Sequence, residues 1–143
     1  MRANAIALSG LQASMARLNA SAANIANAQS RGALTAQAQT QTQTQPTSAP
    51  SASPQAYKPV RVEQSPLQNG GVFVVIGQRS PAAIPTYEPA SPYADMAGMV
   101  ARPNVDLTSE LIEQISAKLS YGASLSVIRT VNQMESRIFE RWA

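Results

Sequence analysis

The sequence predicts a mainly α-helical protein. Its N- and C-terminal helices pair as a coiled-coil inner domain, with a small β-hairpin module and a disordered or irregular linker between them. Three observations carry this. All ten prolines of the 143-residue chain lie between Pro46 and Pro103. Proline inside a helix costs about 3 kcal/mol or more, so long helices are confined to the two ends. Each end bears an apolar stripe at helical spacing, and the middle bears β-branched runs punctuated by Gly and Pro.

In residues 1–34, the first arm of the coiled-coil domain, Leu8, Leu11, Met15, Leu18, Ala22 and Ile25 recur at steps of 3, 4, 3, 4 and 3. That is a heptad seam. The remaining positions are rich in Ala, Ser and Asn, small enough to let a partner helix come close. A helix is expected from about Ala3 to Ala28, roughly 39 Å long, with Gly32 placed to end it. Arg2 and the alanine-rich run after it faintly suggest a signal or transit peptide. Asn4, Ser9, Gln12, Ser14 and Arg17 break any apolar core of such a segment, and the heptad accounts for it better.

Residues 35–56 form the linker. The stretch has no charge, alanine is its only apolar residue, and Gln alternates with Thr from Gln39 to Gln45. Such a composition buries too little surface to offset its ordering entropy, which favours a linker over a polar strand. Residues 57–103 form the β module. Val60, Val62 and the run Val72-Phe73-Val74-Val75-Ile76 flank Asn69-Gly70-Gly71, which predicts a hairpin of roughly 57–67 with 71–79. Beyond it, Pro81, Pro85, Pro89 and Pro92 restrict the chain to extended or edge segments.

Residues 104–143 are the second arm. Leu107, Leu111, Ile115, Leu119, Gly122, Leu125, Ile128, Val131, Met134, Ile138 and Trp142 step at a mean of 3.5, the coiled-coil value. Asp106 is positioned as N-cap. Glu110 and Glu113 sit near the positive end of the helix dipole, Arg137 and Arg141 near the negative end. Gly122 reads equally as a point of close helix approach or as a tolerated glycine.

Chemistry is scarce. The chain has no cysteine and no histidine, which removes disulfides, thiolate catalysis, histidine bases and nearly every structural zinc site. Paired Glu110 and Glu113 are better explained by the dipole. Gly70-Gly71 is better explained as a turn than as a phosphate loop, because no helix comes after it. No catalytic, cofactor-binding or metal-binding residue is assigned, and no cofactor is expected. The net charge of +3 is spread without a basic cluster, against a nucleic-acid partner. No apolar run approaches the ~20 residues that cross a bilayer.

Ala7-Leu8-Ser9-Gly10-Leu11, then Arg17-Leu18-Asn19 and Ala23-Asn24-Ile25-Ala26-Asn27, resemble the N-terminal signature of bacterial flagellar rod, hook and related axial proteins. Tyr57-Lys58-Pro59, the strand from Gly71, Tyr87-Glu88-Pro89 and the Pro103-Asn104-Val105-Asp106 junction resemble the rod branch of that family, most of all its proximal-rod members. The resemblance implies a structural subunit of the basal-body rod in the periplasm, polymerising through its terminal helices into a helical drive-shaft tube. It implies that the partners are copies of itself, other flagellar rod proteins and the flagellar type III export apparatus, with no nucleic acid and no direct membrane insertion. A non-flagellar coiled-coil adaptor or an export-associated interaction protein is the alternative reading.

The assembly interface is expected to comprise Leu8, Leu11, Met15, Leu18, Asn24, Ile25 and Asn27 on the first helix. On the second it comprises Leu111, Ile115, Leu119, Leu125, Ile128, Val131, Ile138 and Trp142. The helices differ in length, about 26 residues against 37, so the shorter cannot cover the longer. Phe139 and Trp142 are expected to project as an apolar end needing another subunit.

Overall fold

A computed structural model describes residues 2–34 and 55–142. The elements run α1 (Arg2–Ala26), β1 (Val60–Pro66), β2 (Val72–Gln78), β3 (Ala83–Tyr87), β4 (Met99–Pro103) and α2 (Leu107–Trp142). Their order is helix, two hairpins, helix. The linker expected over 35–56 lies outside the described residues except for its last two positions.

Two compact units divide these elements. The first holds α1 as far as Ala22, the β1–β2 hairpin through Gly77, and α2 from Thr108. Here the helices run antiparallel: Gly10 lies against Ser124, Arg17 bonds Glu113 and Ser116, and Ser21 bonds Glu110. As one number rises the other falls. The hairpin meets α1 at its turn. Gly70 and Gly71 have φ of +82° and +99°, a region open to glycine and strained for other residues. A Cβ on Gly71 would lie 2.8 Å from Ser9 Oγ. That hydroxyl accepts the Val72 N–H at 3.1 Å and donates to the Ile6 carbonyl at 2.7 Å.

The second unit holds residues 23–34, 55–59 and 78–107. Its centre is an antiparallel pair, β3 with β4, in which Ala83 faces Pro103 and Tyr87 faces Met99. The extended or edge segments expected after Pro81 are the two strands of this second hairpin, whose pairing the sequence pattern did not specify. Pro85 is tolerated because each strand of a two-stranded sheet has an open edge. Gly32 and Ala101 exchange backbone hydrogen bonds at 2.9 and 3.2 Å. Gly32 therefore does not end α1. The helix stops at Ala26, where the Ala23 carbonyl accepts both the Asn27 backbone N–H at 3.1 Å and Asn27 Nδ2 at 2.8 Å. Val100 is fully buried and Pro59 and Pro103 nearly so. The connection from β3 to β4 is held by Asp95, whose Oδ1 accepts the N–H groups of Ala97 and Met99, each at 2.8 Å. Arg31 Nε reaches both carboxylate oxygens of Glu88 at 2.9 Å.

Candidate assembly surface

The helix pair is joined by small and polar side chains. On α1 the covered face reads Ala7, Gly10, Ser14, Arg17 and Ser21, again at steps of 3 and 4, with Ala13 and Ala20 beside it at 1% and 9% exposure. On α2 it reads Glu110, Glu113, Ala117, Ser120 and Ser124, with Ala117 fully buried. A Cβ on Gly10 would lie 3.1 Å from Ser124 Oγ, so the helices approach closely here.

This corrects the expected pairing seam within one chain. The small-residue heptad precedes the Leu8–Ile25 heptad by one residue, about 100° round the helix. The two faces are adjacent, and the recorded contacts with α2 come from the small one. The large one turns outward: Leu8 is 49% and Met15 46% exposed, while Leu11, Leu18 and Ile25 are half-buried.

The α2 stripe is also not one line. From Leu107 to Leu119 its steps are all four residues, each advancing the direction by about 40°. Leu111, Ile115 and Leu119 consequently stand away from α1 at 53%, 69% and 75% exposure. Leu125, Ile128 and Val131, spaced by three, swing back and are half-buried. A mean step of 3.5 concealed a run of fours, then a run of threes from Leu119 to Met134, then fours again to Trp142. Gly122 faces open space, with nothing among the described residues within 4 Å of a Cβ built on it, so α1 does not approach there. Ile138 is exposed. The side chains of Phe139 and Trp142 lie outside the described residues.

Asn24 is not part of the outward surface. It is 1% exposed, and its Oδ1 accepts the Tyr57 hydroxyl at 3.2 Å. It anchors the strand approach within the second unit. Asn27 is half-buried and closes the last turn of α1.

The sharpest electrostatic feature is the Arg17–Glu113 pair. Arg17 Nε donates to Glu113 Oε1, and Nη2 donates to Ser116 Oγ at 3.2 Å. The Arg17 hydrogen bond holds the Glu113 carboxyl below its ordinary value near 4.5 against an opposing effect of burial. The Arg17 guanidinium is raised correspondingly. Glu113 thus does more than compensate the helix dipole, and its partner, 96 residues away, is invisible to local pattern. The small heptad was there to find, because Ala7, Gly10, Ser14, Arg17 and Ser21 repeat as regularly as the leucines do. Apolarity alone does not register it.

The arrangement offers surfaces for adhesion. Each buried alanine methyl contributes about 0.8 kcal/mol. Ala7, Ala13, Ala20 and Ala117 together thus supply only about 3 kcal/mol by burial within the chain, while the larger side chains remain for other contacts. Among the described residues, no helix is long and apolar enough to cross a membrane.

Comparison with known proteins bears on the same elements. The family model described as the flagellar basal body rod FlgEFG protein C-terminal region matches residues 96–140, spanning β4 and nearly all of α2. The chain is 37% identical over 134 residues to the flagellar basal-body rod protein FlgC of Salmonella typhimurium, covering 90% of this chain and 87% of that protein. It is 32% identical over 136 residues to FlgC of Agrobacterium fabrum, covering 92% and 87%. With FlgC of Aquifex aeolicus it shares 36% over 56 residues, covering 39% and 42%.

Proposed function

The chain belongs to the FlgC family of bacterial flagellar basal-body rod proteins, and we propose that it polymerises there through its two terminal helices, using their outward apolar faces as contacts. It is a structural subunit of the basal-body rod, and the rod is its location. The observation that carries the mechanism is the division of labour between two heptads. Small residues satisfy the helix pair inside the chain, while Leu8 and Met15 on α1 and Leu111, Ile115 and Leu119 on α2 stay exposed. Contiguous apolar surface of that kind marks an interface.

Repetition of one such heterologous contact from copy to copy generates an open helical array when its rotation does not close into a ring. Residues 1–34 and 104–143 act as the assembly arms, and residues 57–103 form the β module between them, joined by the 35–56 linker. The partners on this reading are copies of the chain and neighbouring rod proteins, reached after export through the flagellar type III apparatus into the periplasm. The role is structural and asks for no catalysis or cofactor. No observation favours a non-flagellar adaptor.

The test is Ile115→Glu, made in the cells that carry the protein. The variant should be exported in normal amount yet be absent from purified basal bodies, with swimming lost. Normal incorporation and normal swimming refute the outward-face assignment.

A further inference from the structure

The turn of the β1–β2 hairpin carries a reactive pair of residues that its own packing imposes. Asn69 is the one asparagine of the chain followed by glycine, and its side chain is exposed. Elsewhere the following residue is larger: Ala20 after Asn19, Ile25 after Asn24, Val105 after Asn104. Those side chains crowd the backbone nitrogen beside the asparagine, and Gly70 does not. The Gly70 nitrogen, on losing its proton, can attack Asn69 Cγ. The new C–N bond closes a cyclic imide, the Cγ–Nδ2 bond breaks, and ammonia leaves. Water then opens the imide at either carbonyl. The products are aspartate, or the isomer whose backbone runs through the former side chain and is one methylene longer. One water is consumed and one ammonia released.

Glycine at position 70 is not free to change. Its φ is +82°, and a Cβ there would lie 2.9 Å from Ile6 Cδ1. Gly71 is held in the same way, at φ +99° and with a built Cβ 2.8 Å from Ser9 Oγ. The turn fits against α1 only with glycines, so a side chain cannot be the shield for Asn69.

Hydrogen bonds supply the shield instead. The Gly70 N–H donates to the Leu67 carbonyl at 3.0 Å, and the Leu67 N–H donates to the Gly71 carbonyl at 3.1 Å. The Val72 N–H donates to Ser9 Oγ at 3.1 Å, while the Ser9 hydroxyl donates to the Ile6 carbonyl at 2.7 Å. That last bond joins residues three apart and needs this turn of α1 to be helical. Attack on Cγ requires the Gly70 nitrogen to leave Leu67 and the 69–70 peptide to rotate. Rotation carries Gly71 and Val72 away from Ser9. The reaction therefore proceeds through the opened turn, at a rate set by how often the turn opens, as hydrogen exchange is.

We propose that Asn69–Gly70 is a site of backbone deamidation, kept closed by docking of the hairpin turn on α1 with the Ser9 hydroxyl as its latch. A chain whose first helix is unravelled ages at Asn69, and a chain with the turn docked is spared. The change also matters to the fold. The added methylene of the isomer displaces Gly70 and Gly71 from Ile6 and Ser9, so a converted chain does not close the same latch.

The test uses the purified full-length chain under conditions where circular dichroism shows its helices formed. It is held at mildly alkaline pH in buffer and, in parallel, in guanidinium chloride. The tryptic peptide 62–79, in which Asn69 is the only asparagine, reports conversion by its mass and by the separate elution of the isomer. The folded parent should react at least about tenfold more slowly than the unfolded one, the factor for an opening that costs about 1.4 kcal/mol. Ser9→Ala should speed the folded reaction about fivefold, the equivalent of one hydrogen bond of about 1 kcal/mol, and leave the unfolded rate unchanged. Ser9→Thr keeps a hydroxyl that reaches the same carbonyl and should restore the parent rate.

Equal rates in the folded and unfolded parent overturn the shield, and an unreactive peptide in guanidinium chloride overturns the site. A Ser9→Ala chain that keeps its helical signal and reacts no faster than the parent overturns the latch. Should Ser9→Ala lose helical signal, Gly71→Ala decides the matter, because its Cβ drives the turn from Ser9 without altering α1. It should speed conversion in the folded chain, and a rate equal to the parent's overturns the latch equally.

Discussion

Replacing Ala13 with leucine separates the two heptads of α1 experimentally. Ala13 is 1% exposed and lies between Gly10, whose built Cβ stands 3.1 Å from Ser124 Oγ, and Arg17, which holds Glu113. Leucine adds three carbons at a buried position beside the α1/α2 contact. Overpacking of this kind costs about 1–3 kcal/mol. Helix propensity offsets little of it, because leucine ranks just below alanine. The wedge also strains the 2.8 Å bond from Ser21 to the Glu110 carbonyl, which pushes the cost toward the upper half of that range. At roughly 3–4 °C per kcal/mol for a chain of this size, the melting temperature should fall by about 8 °C. The assay is far-ultraviolet circular dichroism of the purified chain on heating, paired with a urea titration. The control is Ile115→Glu, at a side chain 69% exposed, which should stay within about 0.5 kcal/mol of the parent. If Ala13→Leu melts like the parent while Ile115→Glu is strongly destabilised, the large apolar stripe is the seam inside the chain and the reasoning fails.

Other outcomes rest on particular contacts. Because Arg17 lowers the pKa of Glu113, the stabilisation from this pair is present above about pH 4.5 and is lost as pH falls through the lowered value. Glu113→Gln should therefore cost under about 1 kcal/mol at neutral pH, since the carboxylate is 42% exposed. It should also flatten the acid limb of a pH titration of helical signal; an unchanged acid limb counts against the pair. Gly98→Ala places a Cβ 2.8 Å from a Tyr87 ring carbon at φ +75°. It should cost upward of about 1 kcal/mol by urea denaturation, and a neutral result would mean that Gly98 and Tyr87 do not pack so closely in the β3–β4 turn. Tyr57→Phe removes the hydroxyl that donates to buried Asn24 and should cost about 1 kcal/mol. Faster hydrogen exchange at Tyr57 and its neighbours would confirm that the bond anchors the approach to β1, and unchanged exchange would deny it.

The order of residues by itself determined where helices can exist, how long they are and how they differ. The prolines from Pro46 to Pro103 close the middle to helix, and caps such as Asp106 act locally. The β1–β2 hairpin was equally legible, because Asn69-Gly70-Gly71 requires backbone angles that few other residues take. What only the tertiary structure decided is which heptad of α1 meets α2. Two heptads one residue apart have the same period, and periodicity reports an angle but not how near a partner comes. That distance depends on what the facing helix offers: Ala117 and Ser124 admit a close approach, which selects Ala7, Gly10, Ser14 and Ser21 and turns the leucines outward. β4 was decided in the same way. Met99-Val100-Ala101-Arg102-Pro103 is too short and too ordinary to announce a strand, and it becomes one because β3 supplies hydrogen-bond partners on one side and Gly32, from far along the chain, on the other.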